Sequence, residues 1–101
     1  MIYCFDLDGT LCNNTDGNYS EAEPFLDRIS YLNDLHKAGH KIIIETARGS
    51  VTGIEWHEVT RNQLSSWGVL YDELRTGIKY NADVYVDDKC VKDTDFFNYY
   101  K

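Results

Sequence analysis

The chain has 101 residues, 43% of them hydrophobic and 27% charged, with a formal net charge of −7. That length builds one core and those proportions sit near globular averages, which excludes disordered and fibrous classes. The acidic balance disfavours nucleic acid as the main partner, because backbone phosphates are gripped by clustered Lys and Arg. No run approaches the roughly 20 apolar residues of a membrane span, and the start MIYCFDLDGT lacks a basic region followed by an apolar signal core, so a cytoplasmic protein is expected.

Met1 to Phe5 is a short apolar run that stops at an acid and is followed by Gly9, the pattern of a buried strand entering a tight loop. The turn formers NNTDGN, Asn13 to Asn18, predict a surface loop or small hairpin flap. Pro24 suits the first turn of a helix whose apolar positions Phe25, Leu26, Ile29, Leu32 and Leu35 recur at helical spacing until Gly39. Lys41 to Glu45 (KIIIE) is β-branched, too short for a helix, and apolar enough to be covered on both faces as parallel strands are.

After the loop ARGSVTG, residues Ile54 to Trp67 predict a second helix that Gly68 ends. Val69 to Leu74 offers a weak third strand and Ala82 to Val86 a clearer fourth, ending at Asp87 and Asp88. Alternating strands and helices predict a single α/β domain over residues 1–101, a three-layer Rossmann-like arrangement around a central parallel sheet. The closing DTDFFNYYK is too aromatic for a solvated tail; it packs on the sheet or makes an oligomer contact. Cys4, Cys12 and Cys90 are odd in number and lack CxxC spacing, which fits reduced structural thiols.

Ligands of such sheets bind outside the carboxyl ends of the strands. Asp6 and Asp8 follow the first strand there, Thr46 follows the second and Asp87 with Asp88 the fourth, while Lys79 precedes the fourth. Paired carboxylates on a short loop suit Mg²⁺, which takes one or two of them together with waters and substrate phosphate. The metal also cancels the repulsion among the acids and toward an incoming phosphate, so an acidic chain and a phosphate substrate are compatible. Thr46 and the amides after it, from Ala47 on, can hold phosphate oxygens, and Lys79 can neutralise nucleophile and phosphoryl group alike.

These residues carry a resemblance. FDLDGT (Phe5 to Thr10), the apolar run ending at Thr46, Lys79, and the pair Asp87 and Asp88 are similar, in order, to the four motifs of the haloacid dehalogenase superfamily. The resemblance implies that Asp6 attacks phosphorus to give an aspartyl-phosphate, and that Asp8 protonates the leaving oxygen and then activates water. It implies a Mg²⁺ ion held by the Asp6 carboxylate, the Asp8 carbonyl and one of Asp87 and Asp88, with Asp88 preferred. Gly9, Ala47 and Arg48 are taken as substrate-binding positions. An acid at Asp8 points to a phosphatase within the superfamily rather than a dehalogenase or phosphate-transferring ATPase.

Plainer readings stand beside these. Asp8 and Thr10 could cap a turn, Asp87 and Asp88 could be a solvated turn, and Lys79 a surface cation. Arg48 could make a salt bridge instead of binding phosphate bidentately. His36 and His40 suit a helix end, His57 a surface or packing place, and Cys12 shows no activating base. Trp67 reads as core, and Trp56 as packing or as lining a substrate opening.

Neither place where relatives insert a cap domain, Leu11 to Glu23 or the stretch before Lys79, has room for one. An uncapped site implies either a neighbouring subunit that covers it, hence a homo-oligomer, or a large substrate. Octulosonate phosphate phosphatases use the first solution and polynucleotide 3′-phosphatases the second. ETARG, with WHEVT, NQLSSWGV and YDEL after it, also resembles small phosphatases of capsule and lipopolysaccharide biosynthesis. A small phosphorylated metabolite such as a sugar or polyol phosphate is therefore expected. A nucleotide or polynucleotide 3′-end phosphatase and a non-catalytic metal-binding module are the alternatives.

Overall fold

A computed structural model describes residues 1–49 and 56–99, with the side chain of Tyr99 left aside. Strand β1 (Ile2–Phe5), helix α1 (Leu26–Lys37), strand β2 (Lys41–Glu45), helix α2 (His57–Ser66), strand β3 (Glu73–Arg75) and helix α3 (Asp93–Tyr99) follow in chain order, with a 3₁₀ turn at Tyr19–Glu21. The strands form a parallel sheet in the order β1-β2-β3, with Tyr3 opposite Ile42, Phe5 opposite Ile44 and Ile44 opposite Leu74. This is the expected α/β architecture, and no helix among the described residues is long and apolar enough to cross a membrane.

The period of two along each strand decides where the core sits. Tyr3, Phe5, Ile42 and Ile44 share one face, and the buried cluster gathers there: Phe5, Ile42 and Ile44 with Ile29 and Leu32 of α1, Leu64 of α2 and Phe97 of α3. Each such side chain, fully removed from water, contributes about 1.5–3 kcal/mol. On the opposite face Ile2 and Cys4 are exposed and Ile43 is half-buried. The aromatic C-terminus packs on the sheet: Phe96 and Phe97 stand 5.5 and 6.1 Å from the Phe5 ring and 5.6 and 6.0 Å from Tyr31. Arg28 braces the join, its guanidinium 4.8 Å from the Phe97 ring centre while it donates to the Asp93 carboxylate at 2.8 Å and the Thr10 carbonyl at 3.0 Å.

Four expectations shift. Pro24 lies before α1 rather than in its first turn, because Cys12 pairs antiparallel with Pro24; the flanking bonds come from the Asn13 and Phe25 amides, so the missing N–H of proline costs nothing. Helix α2 starts at His57; the expected start at Ile54 lies outside the described residues. The third strand is Glu73–Arg75 rather than Val69 to Leu74. Residues 69–72 are drawn off as a crossover, with Val69 bonded to the Leu64 carbonyl, Leu70 to the Asn33 side chain and Asp72 to the Ile42 carbonyl. The fourth strand, Ala82 to Val86, is not formed: the segment is exposed, Val84 and Val86 by 74% and 94%, and β1 has no neighbour on its outer edge among the described residues.

Candidate active site

The DLDGT loop is wound around one carbonyl. The Leu7 side chain is fully buried, and its carbonyl accepts from the amides of Thr10, Leu11 and Cys12 at 3.0, 2.8 and 3.3 Å. Gly9 has φ of +86°, a left-handed conformation that L side chains rarely adopt, and the turn needs it to bring the Gly9 amide onto the Cys12 carbonyl at 2.8 Å. With Leu7 pointing to the core, Asp6 and Asp8 on either side of it both reach a cleft of about 480 Å³. Thr46, Ala47 and Arg48, just past β2, and Lys79 line the same cleft.

The two acids are held differently. The Asp6 carboxylate is 40% exposed and takes the Lys79 ammonium on Oδ1 at 3.2 Å, while Lys79 also lies 4.9 Å from the Tyr85 ring centre. Asp8 is only 16% exposed and is clamped by Arg48 through both oxygens, Nε to Oδ2 at 2.9 Å and Nη2 to Oδ1 at 2.8 Å. Asp8 therefore does not cap a turn; its partner is a guanidinium.

Arg48 was expected at substrate, yet its side chain is fully buried and its donors are committed. Beyond Asp8 it donates from Nη1 to Thr60 Oγ1 at 3.1 Å and to Gln63 Oε1 at 2.6 Å, and it lies 4.6 Å from the Tyr19 ring centre. A bidentate, buried pair is the arrangement that suits a planar guanidinium fork. The backbone follows suit, with the Arg48 amide donating to Thr46 Oγ1 at 3.2 Å.

Cys12 donates weakly to Asp8 Oδ1 at 3.5 Å, and burial, with the Asp8 charge second, pushes its thiol up to about 12. It stays protonated at neutral pH, which agrees with discounting it as a nucleophile. Trp56 packs edge-on against Tyr19 at 5.0 Å, and His57 faces Thr76 Oγ1 at 3.1 Å.

Asp87 and Asp88 are not brought to the cleft. Asp87 is fully exposed, and its carboxyl is held below the usual range chiefly by the Lys89 amide, which donates to Oδ1 at 2.8 Å. The described geometry is thus the solvated turn. It follows from the missing fourth strand, since nothing draws that segment alongside β1. Among the described residues no three His, Cys, Asp or Glu side chains gather into a metal site. What fits Mg²⁺ is smaller: one half-exposed carboxylate, Asp6, whose bonded partner is confined to Oδ1, beside a polar cleft. A cation that accepts one or two carboxylates and fills the rest with water and phosphate oxygens is compatible with that.

The sequence reading passed over the rim. Asn14, Asp16 and Gly17 line the cleft from the expected flap, Tyr19 from the 3₁₀ turn just after it, and Asn81 and Tyr85 from the far side. Turn composition marked the flap as a loop but carried no sign that it borders the site. Thr60 and Gln63 were missed too, because their role exists only through Arg48.

No family profile matches the chain, and no curated protein matches it significantly in sequence. Solved structures do. A structural-genomics protein from Vibrio cholerae superposes with TM-score 0.84 and 31% identity, covering 95% of this chain and 86% of that one. A chain of the Pnkp1/Rnl/Hen1 RNA repair complex gives TM-score 0.60 at 23% identity, over 96% of this chain and 30% of that one. The D,D-heptose 1,7-bisphosphate phosphatase of B. bronchiseptica, complexed with magnesium and phosphate, gives 0.55 at 17%, over 88% and 53%. The last two share the fold, over less than two thirds of their own length. Through the first, the chain belongs to the family of the Vibrio cholerae protein, and it shares its Rossmann-like α/β fold with the B. bronchiseptica phosphatase.

Proposed function

We propose that the chain is a phosphomonoester hydrolase in which Asp6 is the nucleophile. The observation that carries this is the unequal treatment of two acids on one loop. Asp6 stands half-exposed in the cleft beside a single ammonium, and Asp8, two residues on, is locked in place by Arg48. In the reaction an Asp6 oxygen bonds to phosphorus while the phosphorus–oxygen bond to the leaving group breaks, and Asp8 gives that oxygen its proton. Water then attacks the aspartyl-phosphate, Asp8 takes the water's proton, and phosphate leaves with the Asp6 carboxylate restored. Lys79 offsets charge on Asp6 and on the phosphoryl oxygens, and Thr46 and the Ala47 amide, which line the cleft, bind those oxygens in this reading. Gly9 serves by setting the turn.

Mg²⁺ is the cofactor in this reading, and when bound it screens the phosphoryl charge from the acids. Asp6 and the Asp8 carbonyl would hold it. Asp87 or Asp88 as a third ligand rests on the motif resemblance alone. The substrate proposed is a sugar or polyol phosphate of surface-polysaccharide synthesis: the rim offers Asn14, Asp16 and Asn81 to hydroxyl groups, while the cations lining the cleft among the described residues are the committed Arg48 and Lys79. Likeness to the RNA repair chain favours a second reading, a 3′-end phosphatase, which that shortage of cations opposes. A homo-oligomer covering the open site accompanies the first reading.

The test is Asp6→Asn, assayed for Mg²⁺-dependent phosphate release from an aryl phosphate. Turnover should fall at least a thousandfold; retained turnover removes Asp6 from the role. A screen of sugar, polyol and nucleotide monophosphates then separates the two substrate classes.

A further inference from the structure

The rim of the cleft and the Asp8 carboxylate are joined through one side chain of α2. Gln63 uses both ends of its amide: Oε1 accepts from Arg48 Nη1 at 2.6 Å, and Nε2 donates to the Tyr19 carbonyl at 2.5 Å. Tyr19 in turn covers the face of the same guanidinium, its ring centre 4.6 Å from Arg48 Cζ. Arg48 then grips both oxygens of Asp8. The rim cannot lift without breaking the bond to Gln63 and uncovering Arg48. Arg48 cannot turn without releasing Asp8.

We infer that Gln63 is a positioning residue that ties the seating of the rim at Tyr19 to the aim of the Asp8 carboxylate; the inference rests on the phosphatase reading of the site. A substrate that rests on the seated rim preserves the bond to Gln63, keeps Arg48 fixed and so points the Asp8 proton at the leaving oxygen. Gln63 touches neither substrate nor phosphorus in this scheme. Its effect is confined to steps in which Asp8 moves a proton.

That restriction supplies the test, because leaving groups differ in their need for a proton. The p-nitrophenolate ion departs as an anion, whereas an alkoxide must be protonated as the phosphorus–oxygen bond breaks. The full chain with Mg²⁺ is assayed for kcat/KM on p-nitrophenyl phosphate and on glycerol phosphate, since kcat/KM reports phosphoryl transfer to Asp6. Gln63→Met keeps the length of the side chain and removes both polar ends. It should lower kcat/KM on the alkyl ester by about 10- to 100-fold, a partial loss of the roughly 100- to 10,000-fold that general acid catalysis contributes, and on p-nitrophenyl phosphate by less than about threefold. Asn62→Met, on the exposed side of α2, should change neither.

Equal losses on both esters, or none, overturn the inference. Exchange of the Arg48 Nε proton, followed by NMR, reads the same tie without turnover and should speed at least tenfold in Gln63→Met while the circular dichroism stays native. Unchanged exchange overturns the tie itself. A wild type that hydrolyses neither ester, yet shows the protected Nε proton, overturns the phosphatase reading instead.

Discussion

Replacing Arg48 by Met should be among the most damaging single changes the described residues offer. The side chain is fully buried, and its loss strips partners from four acceptors: both oxygens of Asp8, Thr60 Oγ1 and Gln63 Oε1. Removing one member of a buried ion pair costs about 3–5 kcal/mol, because the other charge is left without compensation. Asp8 keeps 16% exposure, so water can partly reach it and the lower part of that range applies, about 3–4 kcal/mol. For a domain of about 100 residues each kcal/mol moves Tm by about 4–8 °C, so a fall of at least about 12 °C is expected. Urea titration gives the free energy directly, and the slope m should not change. The double variant Arg48→Met with Asp8→Asn should recover about 2 kcal/mol of the loss, since no buried charge is then orphaned. Arg48→Lys should rescue little, because an ammonium cannot make the fork. A loss below about 1 kcal/mol, or additive single losses, would refute the clamp.

Lys79→Met should cut turnover about a hundredfold with little change in Tm, since a single-contact pair whose carboxylate is 40% exposed contributes about 0–1 kcal/mol to stability; circular dichroism melts beside initial rates check both halves. Phe97→Ala, at a 3% exposed position stacked on Phe5, should cost about 3–4 kcal/mol by urea titration. Asp72 is held below its usual carboxyl range, first by the Ile42 amide and then by His36, so it stabilises the fold above its unfolded value and loses that contribution as pH falls through the folded one. The stability gap between wild type and Asp72→Asn should therefore be flat above about pH 5 and close below it. Toward Ellman's reagent Cys90 should react in the native state and Cys12 only on unfolding.

Local patterns gave the elements whose cause is local. KIIIE needs nothing beyond its own β-branching to be a strand, and its bounds come out as read, while Ile29 and Leu32 mark the buried stripe of α1 by spacing alone. Ala82 to Val86 has the alternation of a strand as well, yet a strand exists only against a partner, and that is a property of the sheet edge rather than of the segment. The start of β3 was misplaced for a related reason: Val69 is buried by the end of α2, so apolarity there reports helix packing. The site divides the same way. Asp6, Asp8, Thr46 and Lys79 meet as the strand-end rule says they should, because strand termini lie together once the sheet forms. Asp87 and Asp88 depend on the strand that does not form, and Arg48 could not be told from a phosphate binder until Thr60 and Gln63 were seen around it.

The way the site divides its cations explains how two identical side chains on one loop can take different parts in the proposed reaction. Arg48 is buried, bidentate and boxed in by α2 and Tyr19, so its pairing with Asp8 persists through a catalytic cycle and fixes where that carboxyl group points. Lys79 meets Asp6 through a single contact at 3.2 Å and the Asp6 carboxylate is 40% exposed, a pairing weak enough to exchange for a phosphoryl oxygen or a metal ion. In the proposed reaction the nucleophile is the acid whose partner can leave. If the partners were equivalent, moving Asp6 or Asp8 would cost the fold the same. The geometry says instead that Asp6→Ala should lower Tm by no more than about 8 °C while Asp8→Ala lowers it by at least about 12 °C, and a reversed order would undo the assignment of roles.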